Sequence, residues 1–79
     1  MDKSTVLLRR FGIRVRLLRQ SRGFSQEALA DLCQLDRTYI SSLERGQRNV
    51  GLKNLHALAV ALEISLATLL ETVDDRDEP

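Results

Sequence analysis

Arg37, Thr38, Ser41 and Arg45 fall on one side of a helix wound at about 100° per residue, and Ile40 and Leu43 fall on the other. The first side offers guanidinium forks, hydroxyls and a methyl group, and no carboxylate. An Arg at position 37 can donate two bonds to paired acceptors such as guanine O6 and N7. Thr38 can give its methyl to thymine or its hydroxyl to an acceptor. Ser41 and Ser42 lie one turn deeper. They can bond bases, sugars or phosphates, or simply be small enough to permit close approach. Tyr39 lies between the two faces. It either packs at the edge of the helix or touches the nucleic-acid backbone or a central base step. A helix presenting such groups from its N-terminal turns has the chemistry of major-groove base reading.

Two short helices and a tight turn must position these groups. Ser25 is an N-cap whose hydroxyl can bond a free amide, and Glu27 sits in the first turn, where the helix dipole favours an anion. Gln26 opens this helix, beside free amides that attract anions. Leu29, Leu32 and Cys33 recur at i, i+3, i+4 and predict one apolar face, while Ala30 is small enough for a second helix to approach. Asp36 is the next N-cap candidate, and Gly46 is a natural stop because it tolerates positive φ.

Gln26, Ala30, Ile40, Leu43 and the closing LERG resemble the helix-turn-helix of the Cro/phage-repressor family, also called the XRE family. Asp36 to Asn49, DRTYISSLERGQRN, more narrowly resembles the controller proteins of bacterial restriction–modification systems, as does the chain length. The resemblance covers roughly residues 9 to 71. It implies an all-α, compact five-helix bundle of the lambda-repressor-like type, binding operator DNA as a dimer and regulating transcription. It also implies that Gln26 fixes a phosphate and that Arg48 and Asn49, just past the second of the two helices, meet the DNA backbone. Arg19 and Glu44 are placed opposite each other as a structural salt bridge. One departure concerns the turn: many members have Gly where this chain has Gln34, and a non-Gly residue adopts αL only at some strain.

Seventy-nine residues make one small domain, expected over 1–79. Hydrophobic content is 43% with two Phe, one Tyr and no Trp, so the core must be aliphatic, as suits a helical bundle. One Pro and four Gly supply little turn chemistry for an all-β fold. Residues 1–50 carry ten Lys/Arg against five Asp/Glu, and residues 51–79 carry two against six. A basic half beside an acidic half suggests one side facing a polyanion and another facing something else. The single Cys33 is expected to act as a small core hydrophobe, and with one His, His56, there is no metal-ligand set and no cofactor site. Nothing in the chain assembles a catalytic site. There is no apolar run near 18 residues and no signal-peptide pattern, so a cytoplasmic protein without a membrane partner is expected.

In chain order, the first helix is expected from about Thr5 to Arg22, capped by Asp2 or Ser4, with Leu8, Phe11, Val15 and Leu18 as its stripe and Ile13 and Leu17 half exposed. Its six arginines, Arg9, Arg10, Arg14, Arg16, Arg19 and Arg22, are expected to be mostly solvated surface with some phosphate contacts. Gly23 ends it and Phe24 anchors the corner. The helix-turn-helix then spans 26–45. Dimerisation helices follow over about 52–73, the last of them from Leu66 to about Val73, and 74–79 is expected to be disordered. Val60, Ile64, Leu66, Leu69 and Leu70 offer more apolar surface than so short a chain can bury, and are assigned to a homodimer interface. RNA polymerase stays open as a partner. Two rivals are an antitoxin-type autoregulator and a protein-interaction module without DNA binding.

Overall fold

The computed structural model describes residues 2–74. Five helices run in the order α1 (Lys3–Ser21), α2 (Gln26–Cys33), α3 (Arg37–Glu44), α4 (Leu52–Leu62) and α5 (Leu66–Leu69). The expected tail lies, from residue 75 onward, outside the described residues.

The caps follow from side-chain chemistry. Asp2 accepts from the Thr5 amide at 2.8 Å and starts α1 two residues earlier than its periodicity suggests. That bond holds the Asp2 carboxyl below its ordinary value. Ser25 and Ser65 accept from the Ala28 and Thr68 amides, each at 3.0 Å. Asp36 occupies the N-cap of α3 with extended backbone, but its carboxylate makes no capping bond. The Tyr39 amide reaches Asp36 O at 3.0 Å, which leaves the Arg37 and Thr38 amides without a partner among the described residues.

The helix-turn-helix turn is closed by Gln34 at φ 58°, ψ 41°, with the Leu35 amide bonded to Ala30 O at 2.9 Å. An L-residue in this conformation is strained by about 1–2 kcal/mol. Gln34→Gly should therefore raise stability by about 0.5–1 kcal/mol once the extra freedom of unfolded glycine is subtracted. A shift of the urea midpoint to higher concentration at unchanged slope would show this. A midpoint at or below the parent's would mean that the turn is not strained.

One core joins all five helices: Phe11 and Val15 from α1, Leu29, Ala30 and Cys33 from α2, Ile40 and Leu43 from α3, Leu58, Ala59 and Leu62 from α4, Leu69 from α5, and Val73 beyond it. Burial pushes the Cys33 thiol up, away from the reactive thiolate. Leu32, expected on the inner face of α2, is 56% exposed. Leu29 and Cys33, with Ala30, take the sector that α3 and α4 cover, and Leu32 is left on the flank.

The last helix is shorter than its apolar spacing suggests. After Leu69 the bonds tighten to i→i−3, from Glu71 N to Thr68 O and from Val73 N to Leu70 O, and Thr72 turns to φ 65°. β-branched Thr72 and Val73, with Glu71 and Asp74 at a helix end that disfavours anions, oppose a longer helix. This changes the interface assignment. Leu69 is fully buried in its own domain and cannot belong to a dimer surface, and Ile64 and Leu66 pack partly on the same core. Val60 and Leu70 remain outward, 61% and 39% exposed.

Of the six arginines, Arg9, Arg10, Arg16 and Arg22 are exposed, as expected, while Arg14 is half-buried and Arg19 is buried. Arg14 Nη2 donates to Thr68 O at 2.7 Å, and Arg22 Nη1 donates to Leu62 O at 2.9 Å. Each guanidinium meets a carbonyl in the last turn of α5 or α4, where the helix dipole favours a cation. Arg14 also faces Glu71 at 3.5 Å, and Arg22 faces Glu63 at 3.4 Å.

Candidate nucleic-acid interface

α3 stands on a charged hub. Arg19 Nε donates to Glu44 Oε2 at 2.7 Å and Arg19 Nη2 to Glu44 Oε1 at 3.0 Å, the fork-to-fork geometry of a bidentate pair. Arg19 Nη1 donates to Phe24 O at 2.9 Å, and Gln26 Nε2 donates to Glu44 Oε1 at 3.0 Å. The two charged side chains are only 11% and 4% exposed. Four segments thus meet at one ion pair: α1, the corner after it, the start of α2 and the end of α3. Glu44 has its charge matched and presents no bare anion to a polyanion. Gln26 is part of this hub, a role its position at a helix start did not signal. One amide hydrogen of Gln26 is committed to Glu44, and the other remains.

Close approach of backbones makes the hub possible. Gly12 lies on the inner side of α1, where an added Cβ would come within 2.5 Å of Leu43 O and 2.6 Å of Glu44 O. Only hydrogen fits there, and α1 can therefore lie against the last turn of α3. A glycine inside a helical pattern was the available signal.

The outer face of α3 carries the groups expected of it. Arg37 and Thr38 are exposed in its first turn. Among the described residues neither Arg37 nor Asp36 has an ion-pair partner, so the Arg37 charge is not quenched by its neighbour. Ser41 is half-buried, and Arg45 Nη1 donates to its hydroxyl at 2.6 Å while Arg45 Nη2 reaches Gln47 Oε1 at 3.3 Å.

Ser42 is engaged within the protein. Its hydroxyl donates to Tyr39 O and accepts from Arg48 Nε, both at 3.0 Å. The helix interior offers the i−3 carbonyl, and Ser side chains readily bond back to it. Tyr39 packs on the core edge, with the Arg48 guanidinium 5.0 Å from its ring centroid. Its hydroxyl accepts from Asn54 Nδ2 of α4 at 3.2 Å. Asn49 is exposed beside Arg48. Arg37, Thr38, Ser41, Arg48 and Asn49 therefore belong to α3 and the loop just after it, and Gln26 sits at the hub behind them.

Among the described residues no group of three His, Cys, Asp or Glu could hold a metal ion, and no helix is long and apolar enough to cross a membrane.

A helix-turn-helix family model matches residues 15–69. Control protein C.BamHI of Bacillus amyloliquefaciens is 48% identical over 62 residues, covering 77% of this chain and 76% of its own length. The crystal structure of the restriction–modification controller protein C.AhdI from Aeromonas hydrophila superposes with a TM-score of 0.77 at 53% identity, over 78% of this chain and 94% of that one. The controller protein C.Esp1396I, solved as a tetramer in complex with its natural 35-base-pair operator, superposes with a TM-score of 0.76 at 37% identity, over 85% of this chain and 88% of that one. With the family model spanning most of its length and these controller relatives covered over 76% to 94% of theirs, the chain belongs to the helix-turn-helix family of transcriptional regulators, among the controller proteins of restriction–modification systems.

Proposed function

We propose that this controller protein acts in the cytoplasm as a homodimer that seats the N-terminal turns of α3 in successive major grooves of its operator. The observation that carries the reading is an unpaired, exposed Arg37 beside Thr38, on a helix whose own carboxylate is neutralised by Arg19. Arg37 and Thr38 read base edges, Ser41 steadies Arg45 beside them, and Arg48 and Asn49 meet the backbone. Gln26 offers its second amide hydrogen to a phosphate, next to the free amides at the start of α2. Val60 and Leu70 form the exposed part of the dimer surface, flanked by Ile64 and Leu66. The second half of the chain is acidic in sequence, a charge that suits a protein partner such as RNA polymerase.

Selection of bound duplexes from random DNA tests this reading. The recovered sites should contain paired half-sites about 34 Å apart, as two-fold symmetry requires. Recovery of lone half-sites would sink the dimer. Absence of salt-dependent retention would favour a module that binds protein instead. On a selected duplex, Arg37→Ala should cost roughly 1–3 kcal/mol and relax preference at one base pair per half-site, measured on single-base variants at fixed salt. If affinity falls uniformly and every preference persists, Arg37 clamps a phosphate and does not read a base.

A further inference from the structure

We propose that Asn54 is a positioning residue for DNA recognition, holding the Tyr39 hydroxyl as an outward hydrogen-bond donor beside the Arg48 guanidinium. The inference rests on the DNA-binding reading above and extends it to a residue on α4, outside the helix-turn-helix.

A phenolic hydroxyl has one proton to donate and two lone pairs to accept with. Asn54 Nδ2 donates to the Tyr39 oxygen at 3.2 Å, so the phenolic proton points elsewhere. Among the described residues no acceptor receives it. The ring is held from two further sides. Arg48 lies across it at 5.0 Å, a cation–π distance, and Ser42 holds Arg48 in place by accepting from its Nε at 3.0 Å while donating to Tyr39 O. Arg48 keeps both Nη groups without a partner among the described residues. Donors from Tyr39, in the first turn of α3, and from Arg48, in the loop after it, are therefore presented side by side. A phosphate oxygen is an acceptor only, and a pair of fixed donors suits it. Without Asn54, the phenol keeps its ring and its stack but loses the bond that orients its proton. The α3–α4 network thus acts on DNA through Tyr39, and Asn54 itself does not touch the duplex.

A double-mutant cycle on a duplex selected by the wild-type protein tests this. Asn54→Ala and Tyr39→Phe remove the bond from opposite ends, and both leave the Arg48 stack intact. Each should weaken binding about five- to tenfold, with thermal midpoints within several degrees of the parent's, since a single part-buried bond is lost. The double variant should bind no more than twofold weaker than Tyr39→Phe alone, because Asn54 acts through the hydroxyl. Wild-type affinity in Asn54→Ala would overturn the proposal. So would an undiminished effect of Asn54→Ala in the Tyr39→Phe background, which would mean that Asn54 acts on DNA directly. A wild-type protein that shows no salt-dependent binding would overturn the DNA reading and this inference together, whereas the other failures leave the DNA reading standing.

Discussion

Glu44→Ala should destabilise the domain by about 3–5 kcal/mol, the loss expected when one partner of a buried ion pair is removed. Arg19 would keep its charge in a site only 11% exposed, with just the Phe24 carbonyl left to accept from it. Gln26 would lose its acceptor as well. A domain of this length is stable by roughly 4–12 kcal/mol at typical values per residue, so the substitution removes a large share. Urea unfolding of the single variants Glu44→Ala and Arg19→Ala checks this. The pair Arg19→Met with Glu44→Leu separates charge from packing. It should recover most of the stability, because an apolar pair leaves no buried charge unmatched. It should not recover DNA affinity, since α3 would then lack the hub that sets its orientation. Equal midpoints for Glu44→Ala and the parent would show that the pair is ornamental.

Gly12→Ala should cost about 2–3 kcal/mol, although alanine is the better helix former by about 1 kcal/mol. The new methyl would meet two main-chain oxygens, Leu43 O at 2.5 Å and Glu44 O at 2.6 Å, and neither can swing aside as a side chain would. α1 and α3 must separate, and the Arg19–Glu44 pair lies at the same contact. The costs of Gly12→Ala and Glu44→Ala should therefore sum to more than the double variant loses, since one displacement weakens both. Additive losses in chemical denaturation would show that the two features are independent. A neutral Gly12→Ala would mean that the helices are not as close as described.

The sequence showed most of the fold because its punctuation is local. Ser25, Gly23, Gly46 and Ser65 each cap or stop a helix with their own atoms, and α2 opens at Gln26 as expected. What stayed hidden depends on partners distant in the chain. Periodicity placed Leu69 on an apolar stripe but could not say whether the stripe faced its own core or a second copy. Its complete burial within its own fold decides that. Counting arginines suggested a mostly solvated set, which Arg9, Arg10, Arg16 and Arg22 keep, but it could not show that Arg14 and Arg22 also reach helix ends 54 and 40 residues away. The outer face of α3 was legible in Arg37 and Thr38, which need no partner to be recognised as donors. Ser42 and Asn54 were not legible as a network, because their bonds run through Tyr39 and Arg48 and depend on the packing of α4 against α3.

The lone thiol of Cys33 offers a natural clock for the breathing of this domain. It is buried in the core, and burial also disfavours its reactive form. A thiol reagent can therefore label it only when α2 lifts from α3 and α4. At reagent concentrations where reclosing outruns labelling, the labelling rate measures the free energy of that opening directly. With no second cysteine in the chain, every modified molecule reports the same event. The recognition unit can thus be timed with its own atoms, free or on DNA, without an introduced probe.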